Sequence, residues 1–127
     1  MAESLNSFSN LIANFPLGNT ANNIELAIVC FKVISTVFTR EAFPVDWAKV
    51  QNNLGVTYSD RIRGNRADNL EAAIAAFEAA LQICTRETSP EQWAQTQANL
   101  GGAYFFRIQG NRAENLERAI TFYKNAL

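Results

Sequence analysis

Apolar residues recur at the spacing of an α-helix through most of the chain, and no stretch alternates convincingly with the period of two that marks a half-buried strand. In one segment, Trp47, Val50, Leu54 and Tyr58 form a single apolar stripe. The following segment has a second stripe, made of Leu70, Ala73, Ile74, Phe77, Leu81 and Cys84. The pattern predicts an all-α fold of about five or six antiparallel helices.

The two predicted helices form a unit that occurs again 46 residues later. Residues 44–81 align with residues 90–127, and 21 of the 38 aligned positions are identical. A more divergent copy precedes them and retains Ala27 and Phe31. We therefore expect one array over residues 1–127, with a divergent repeat at 1–43, a repeat at 44–89, and a repeat at 90–127 that is truncated at its C-terminal end.

Turn and cap residues separate the predicted helices. Gly64 is expected in the left-handed conformation at a helix C-terminus. Asp68 and Glu71 have the spacing of a capping box at the next helix start, and Ser89-Pro90 predicts a cap followed by the first helical position, with Gln92 completing the box. Small residues are predicted where the helices of a hairpin approach closely, at Gly55, Ala73, Gly101 and Ala119.

Composition and charge narrow the class of function. The chain is 48% hydrophobic and 18% charged, which is typical of a globular protein, and its formal net charge is −1. This balance argues against a broad electrostatic interaction with nucleic acid or with an anionic membrane surface. The apolar run from Ile24 to Phe38 is interrupted by Glu25 and Lys32, so we do not expect a membrane span, and the N-terminus lacks the pattern of a signal peptide.

The sequence offers little catalytic or metal-binding chemistry. It contains no histidine, no Gly-x-Ser-x-Gly elbow and no phosphate-binding loop, so we predict that the protein is not an enzyme and needs no cofactor or metal. Cys30 and Cys84 lie in apolar stretches and are expected to be buried free thiols in a reducing cytoplasm.

The repeated residues resemble the tetratricopeptide repeat family, whose first helix carries Leu-Gly-x-x-Tyr and whose second carries Ala-x-x-x-Phe-x-x-Ala-Leu. Those positions are Leu54, Gly55 and Tyr58 with Ala73, Phe77, Ala80 and Leu81, and Leu100, Gly101 and Tyr104 with Ala119, Tyr123, Ala126 and Leu127. The period of 46 departs from the usual 34. In this respect the chain is similar to the long repeats of kinesin light chains and to bacterial, especially cyanobacterial, repeat arrays associated with CHAT domains.

This resemblance implies a helical-hairpin solenoid, a right-handed superhelix in which the first helices line a concave groove. It implies a non-catalytic, cytoplasmic module that binds another protein or peptide. The residues expected to line the groove are Lys49, Asn53, Asp60, Gln95, Asn99 and Phe106. An asparagine can donate to and accept from a peptide backbone; the alternative is that Asn53 and Asn99 bond a neighbouring helix or face water.

Two other features have open interpretations. Arginines gather near the turn of each hairpin, at Arg61, Arg63, Arg66, Arg107 and Arg112. They suit phosphate, but interleaved acids favour ion pairs or bonds to helix-end carbonyls. The second helix of the divergent repeat is apolar on more than one face, so either the short first helix folds over it or it packs on another copy of the chain. The second case predicts a homodimer through Ile24, Ile28, Phe31 and Ile34, within an alternative, assembly role in which the chain self-associates or stacks through exposed apolar end helices.

Overall fold

The computed structural model describes residues 2–15 and 18–127, and in these residues it contains six α-helices and no strand. The all-α prediction is confirmed. The helices are α1 (Ala2–Ala13), α2 (Thr20–Val37), α3 (Pro44–Asp60), α4 (Arg66–Leu81), α5 (Pro90–Phe106) and α6 (Arg112–Ala126).

The helices form three hairpins, α1/α2, α3/α4 and α5/α6, which we call hairpins 1, 2 and 3. Hairpin 3 begins at Pro90, 46 residues after Pro44, and α6 begins at Arg112, 46 residues after Arg66. The same shift relates Thr20, the start of α2, to Arg66. Hairpin 1 therefore keeps the second-helix boundary of the repeat although most of its residues differ.

Contacts between the hairpins arrange the helices in two layers. The first helices touch one another, α1 against α3 and α3 against α5, and each second helix touches the first helix of the next hairpin. Over the described residues, α2 does not contact α4, and α4 does not contact α6. The layer of first helices is therefore the more closely packed of the two.

The core follows the predicted stripes. One cluster joins α2 to α3 through Phe31, Val50 and Leu54, and a second joins α4 to α5 and α6 through residues that include Phe77 and Leu100. Burying apolar side chains between hairpins in this way is what stabilises a repeat that cannot form a core alone.

The cysteines lie differently from the prediction. Cys84 is fully buried, but it follows the end of α4 and is not part of that helix, while Cys30 is only half-buried. Both are free thiols, and burial raises the pKa of the Cys84 thiol. A buried thiol with a raised pKa has little reactive thiolate and behaves as a small apolar side chain.

The turns inside the hairpins correct two sequence predictions. Gly64 does have a positive φ, +80°, but α3 ends at Asp60, so Gly64 lies in the turn just before α4. The N-cap of α4 is Asn65, whose side chain accepts from the backbone N–H of Asp68. The predicted capping box at Asp68 and Glu71 is therefore wrong, because the helix starts three residues earlier than the pattern suggested.

The start of α5 is as predicted in position but not in its bonds. Ser89 is the N-cap residue and Pro90 occupies the first turn, yet the Ser89 side chain makes no capping hydrogen bond to the helix. The box that Gln92 was expected to complete is not formed. Proline, which has no N–H and a fixed φ, defines this helix start without it.

Candidate functional site

The first helices of hairpins 2 and 3 are joined by a buried polar contact. Asn52 on α3 is 2% exposed, and its Oδ1 accepts hydrogen bonds from Thr96 Oγ1 and Asn99 Nδ2 on α5, each at 3.1 Å. A buried polar group that is satisfied across an interface fixes the separation and register of the two helices. Sequence reasoning missed Asn52 because its position in the next repeat is Ala98.

A groove of about 350 Å³ lies on the surface between α3 and α5 near their C-terminal ends. It brings together three of the six predicted site residues, Asp60, Asn99 and Phe106. Val56 and Gly102 lie beside them and leave the wall of the groove low and apolar. Phe106 is 60% exposed, so a large aromatic surface is available at the edge of this groove.

Two other predicted residues line a separate cleft near the N-terminal ends of the same helices. Lys49 and Gln95 share a cleft of about 420 Å³ with Val45. Lys49 is partly engaged, because its Nζ lies 3.2 Å from Oε1 of Glu3 on α1. Asn53, the remaining predicted residue, is half-buried on α3 and lines neither the groove nor the cleft.

The carboxyl group of Asp60, which lines the groove, has a pKa that differs from its ordinary value. Desolvation by the surrounding protein raises its pKa, and the nearby positive charge of Arg66 acts in the opposite direction. Asp60 also borders a smaller cavity between α1 and α3. Asp60 is therefore an acidic side chain at the groove whose ionised form is partly desolvated.

The arginines near the hairpin turns have structural partners. Arg61 donates to both carboxylate oxygens of Glu25, at 2.7 and 2.9 Å, and Arg107 does the same to Glu71, at 2.7 and 3.1 Å. Each pair joins the C-terminus of a first helix to the second helix of the preceding hairpin. Both pairs are separated by 36 residues, because Glu25 and Arg61 recur as Glu71 and Arg107 in the next repeat, but the spacing alone does not show that they meet.

Arg66 and Arg112 bond carbonyl groups at helix ends, as one of the two interpretations of the sequence predicted. Arg66 donates to the backbone oxygen of Ser59, and Arg112 donates to that of Phe105, both in the last turn of the preceding helix. These bonds satisfy carbonyls that would otherwise lack an intrahelical partner.

The residues predicted for self-association are not on the surface. Ile24, Ile28, Phe31 and Ile34 are between 0 and 5% exposed and form the core that joins α2 to α3. The prediction is therefore corrected, because a core residue cannot also form an outer contact. The opposite face of α2 carries a different set of apolar residues, which is described below.

Two further findings concern chemistry and membranes. Among residues 2–15 and 18–127, no three His, Cys, Asp or Glu side chains converge in a way that could hold a metal ion.

Helix α2 has the length and apolar composition of a membrane-spanning helix, with a mean hydropathy of 1.2, and 28% of that segment is buried within the protein.

Comparison with known proteins supports the class suggested by the repeats. A sequence model described as "Tetratricopeptide repeat" matches residues 93–127, which cover nearly all of hairpin 3. No curated protein and no solved structure matched the chain. The comparison supports a relationship to the tetratricopeptide repeat family, which generally mediates protein–protein interaction and is generally non-catalytic. The likeness to kinesin light chain and CHAT-associated repeats stays a prediction.

Proposed function

We propose that the chain is a protein-interaction module that holds a peptide segment from another protein against the first helices of hairpins 2 and 3. The observation that carries this proposal is the groove between α3 and α5, which gathers Asp60, Asn99 and Phe106 on one surface. The binding mode, the peptide and the cytoplasmic setting are parts of the proposal.

The packing of the two layers favours this location. Over the described residues the first helices contact one another and the second helices do not, so we expect a continuing stack to curve toward the first-helix layer. Side chains on that layer then converge on a ligand, as ligand sites in concave surfaces generally require. Asn52 and Thr96 keep α3 and α5 at a fixed separation, so the groove is formed before a ligand arrives.

The groove combines the two kinds of contact that a peptide uses. Val56 and Phe106 offer apolar surface to ligand side chains, and Gly102 lets a backbone approach α5 closely. The amide of Asn99 donates to Asn52, which leaves its carbonyl oxygen available to a peptide N–H. Asp60 would favour a ligand that has a lysine or arginine at this end of the groove.

The test begins with a peptide selected from a display library on the wild-type protein, whose affinity is then measured by calorimetry. Asn99→Ala removes the amide of the groove that we expect to contact the peptide backbone, and at about 1 kcal/mol its loss should weaken binding roughly fivefold. Val56→Arg should abolish binding, because its long side chain would occupy the groove.

Thr121→Ala is the matched control. Thr121 is exposed on α6, and its hydroxyl donates to the backbone oxygen of Glu117 in its own helix. Its replacement should leave the affinity unchanged. Thermal melting must show that every variant is folded. If Val56→Arg binds the selected peptide as tightly as the wild type does, the groove is not the binding site.

A further inference from the structure

The outer face of hairpin 1 is made of large apolar side chains that no other part of residues 2–15 and 18–127 covers. These residues, which we call the hairpin 1 face, are each 41 to 62% exposed and comprise Leu5, Phe8, Leu11 and Phe15 on α1 with Leu26, Val29, Val33 and Val37 on α2. We propose that this face pairs with the same face of a second copy of the chain, forming a two-fold symmetric homodimer.

The residues form one continuous surface. On α2, Leu26, Val29, Val33 and Val37 follow one another at three or four residue intervals, so they lie along a single side of the helix. This side is opposite the buried side that holds the core residues. At the Leu26 end, the α1 residues close around a shallow apolar pocket of about 290 Å³, lined by Phe8, Leu11, Ile12, Phe15, Asn23 and Leu26.

The repeat itself supplies a comparison for the α2 residues. The positions of Leu26, Val29 and Val33 correspond, by shifts of 46 and 92 residues, to small residues in hairpin 2 and to polar residues in hairpin 3. The hairpin 2 residues are Ala72, Ala75 and Ala79, and those of hairpin 3 are Arg118, Thr121 and Asn125. Large aliphatic side chains are therefore not needed at these positions to form a hairpin.

The α1 residues show the same departure from the rest of the array. Phe8 is 58% exposed, whereas the corresponding residues Leu54 and Leu100 are 7% and 0% exposed because each packs on the preceding hairpin. Phe15 stands where Arg61 and Arg107 bind the glutamate of the preceding hairpin. Hairpin 1 thus presents phenylalanine in place of the arginine that continues the array, which suits an apolar partner.

Charge favours a second copy as that partner. Helices α1 and α2 contain three charged residues, and all three point toward α3. Glu3 pairs with Lys49, Glu25 pairs with Arg61, and the Lys32 ammonium lies 5.9 Å from the centre of the Tyr58 ring. The hairpin 1 face is therefore uncharged, so two copies can meet across a two-fold axis without like charges opposing each other.

The same distribution of charge argues against other partners. A helix that rests on an anionic membrane has a rim of lysine and arginine, which this face lacks. Stacking of hairpin 1 on hairpin 3 of another copy would place its apolar residues against α6, whose outer surface carries Glu114, Glu117 and Arg118. Burying those charges without partners is unfavourable.

The size of the face matches the requirement of a stable dimer. Eight half-exposed side chains of this size expose on the order of 800 Å² of apolar surface, which is about what each partner buries in a standard protein interface. Contiguous apolar patches on monomeric proteins rarely exceed a few hundred Å².

Sedimentation velocity from about 1 to 100 μM is the test, at concentrations that bracket common dimer affinities. We expect the wild type to sediment as a dimer. The triple variant Leu26→Arg/Val29→Thr/Val33→Asn gives α2 the residues that α6 carries, so it should fold with the same circular dichroism and weaken the dimer at least a hundredfold. The control Arg118→Ala/Thr121→Ala alters the same positions of hairpin 3 and should remain dimeric.

Mixing distinguishes the symmetry of the contact. In the two-fold dimer, fluorescently labelled wild type does not pair with the triple variant, because both copies must supply the hairpin 1 face. In head-to-tail stacking, wild type still binds the intact α6 surface of the variant, and a mixed species would overturn the proposal. Val33→Lys, a single change at an exposed position, provides a second variant if the triple variant does not fold.

The proposal is also overturned if the wild type is monomeric at about 100 μM, the highest concentration of the series. It fails equally if the folded triple variant remains dimeric, or if wild type cosediments with phosphatidylcholine vesicles as a monomer. The peptide-binding test uses α3 and α5 and is independent of this result.

Discussion

Gly55 on α3 faces Phe77 on α4, and this contact sets how closely the helices of hairpin 2 approach. A Cβ atom at Gly55 would lie 2.5 Å from Cε1 of Phe77. Phe77 is 1% exposed, so its ring is held on all sides and cannot move away. The prediction that Gly55 permits a close approach is confirmed, and the side chain it accommodates is that of Phe77.

We expect Gly55→Ala to lower the free energy of unfolding by about 2 kcal/mol or more, since overpacking a filled core outweighs the helix preference for alanine. Gly102→Ala on α5 is the matched control, because its Cβ would meet only the hydroxyl of Tyr123 at 3.3 Å, the end of a half-exposed side chain. That variant should be unchanged or more stable by up to about 1 kcal/mol. Urea unfolding measures both, and equal effects would contradict the close-packing argument.

The start of each second helix depends on an asparagine that follows a left-handed glycine. Asn19, Asn65 and Asn111 each accept a hydrogen bond from the backbone N–H three residues later, at 3.0 to 3.2 Å. The preceding residues Gly18, Gly64 and Gly110 have φ between +80° and +87°. This Gly-Asn pair is present in all three hairpins, so hairpin 1 retains the sequence motif of the turn although most of its other residues differ.

Replacing Asn65, the N-cap residue of α4, tests whether this motif stabilises the start of the helix. We expect Asn65→Ala to lower the free energy of unfolding by about 1 kcal/mol, because the N–H of Asp68 loses its acceptor. Asn65→Ser retains a side-chain oxygen and should recover most of the loss. Thermal unfolding compares the two variants with wild type. If both variants melt alike, the side-chain cap does not hold the start of α4.

Across the whole molecule, neighbouring hairpins are joined by the same arginine–glutamate pair at each junction. The side chains of Arg61 and Glu25 are 28% and 27% exposed, and those of Arg107 and Glu71 are 24% and 31% exposed. Bidentate pairs that are mostly shielded from solvent stabilise more than ordinary surface pairs. The corresponding residue on α6, Glu117, is exposed and makes no ion pair within the described residues.

Glu25→Gln should lower the free energy of unfolding by about 1 kcal/mol near pH 7. The hydrogen bond from Arg61 lowers the pKa of Glu25 below its ordinary value of 4.5, so the stabilisation is present above that value. It is lost as pH falls through the lower pKa of the folded state. The difference between wild type and variant, measured by urea unfolding from pH 7 to pH 3, should therefore shrink below about pH 4.5.

Glu117→Gln is the control for that series, because it removes the same charge where no arginine is paired with it. Its free energy of unfolding should stay within about 0.5 kcal/mol of wild type at every pH. A loss at Glu117 equal to that at Glu25 would show that the pair with Arg61 contributes nothing specific.

The sequence by itself determined the helical class, the repeat and the core of hairpins 2 and 3. Helical periodicity is a local property, and a repeated unit shows each of its core positions twice, as with Leu54 and Leu100 or Ala73 and Ala119. Pro90 marked a helix start because proline restricts its own backbone. The groove residues could be placed on α3 and α5 for the same reason, since a stripe on a helix follows from spacing alone.

Only the tertiary structure decided which face of a helix is buried and which distant group a side chain contacts. Helix α2 is apolar nearly all round, so its periodicity could not separate the core face of Phe31 from the outer face of Val33. Asn52 is buried because α5 supplies Thr96, and Glu25 is paired because Arg61 lies beside it after the chain has folded back through a turn. Such partners are set by packing between helices, and no local pattern around either residue encodes them.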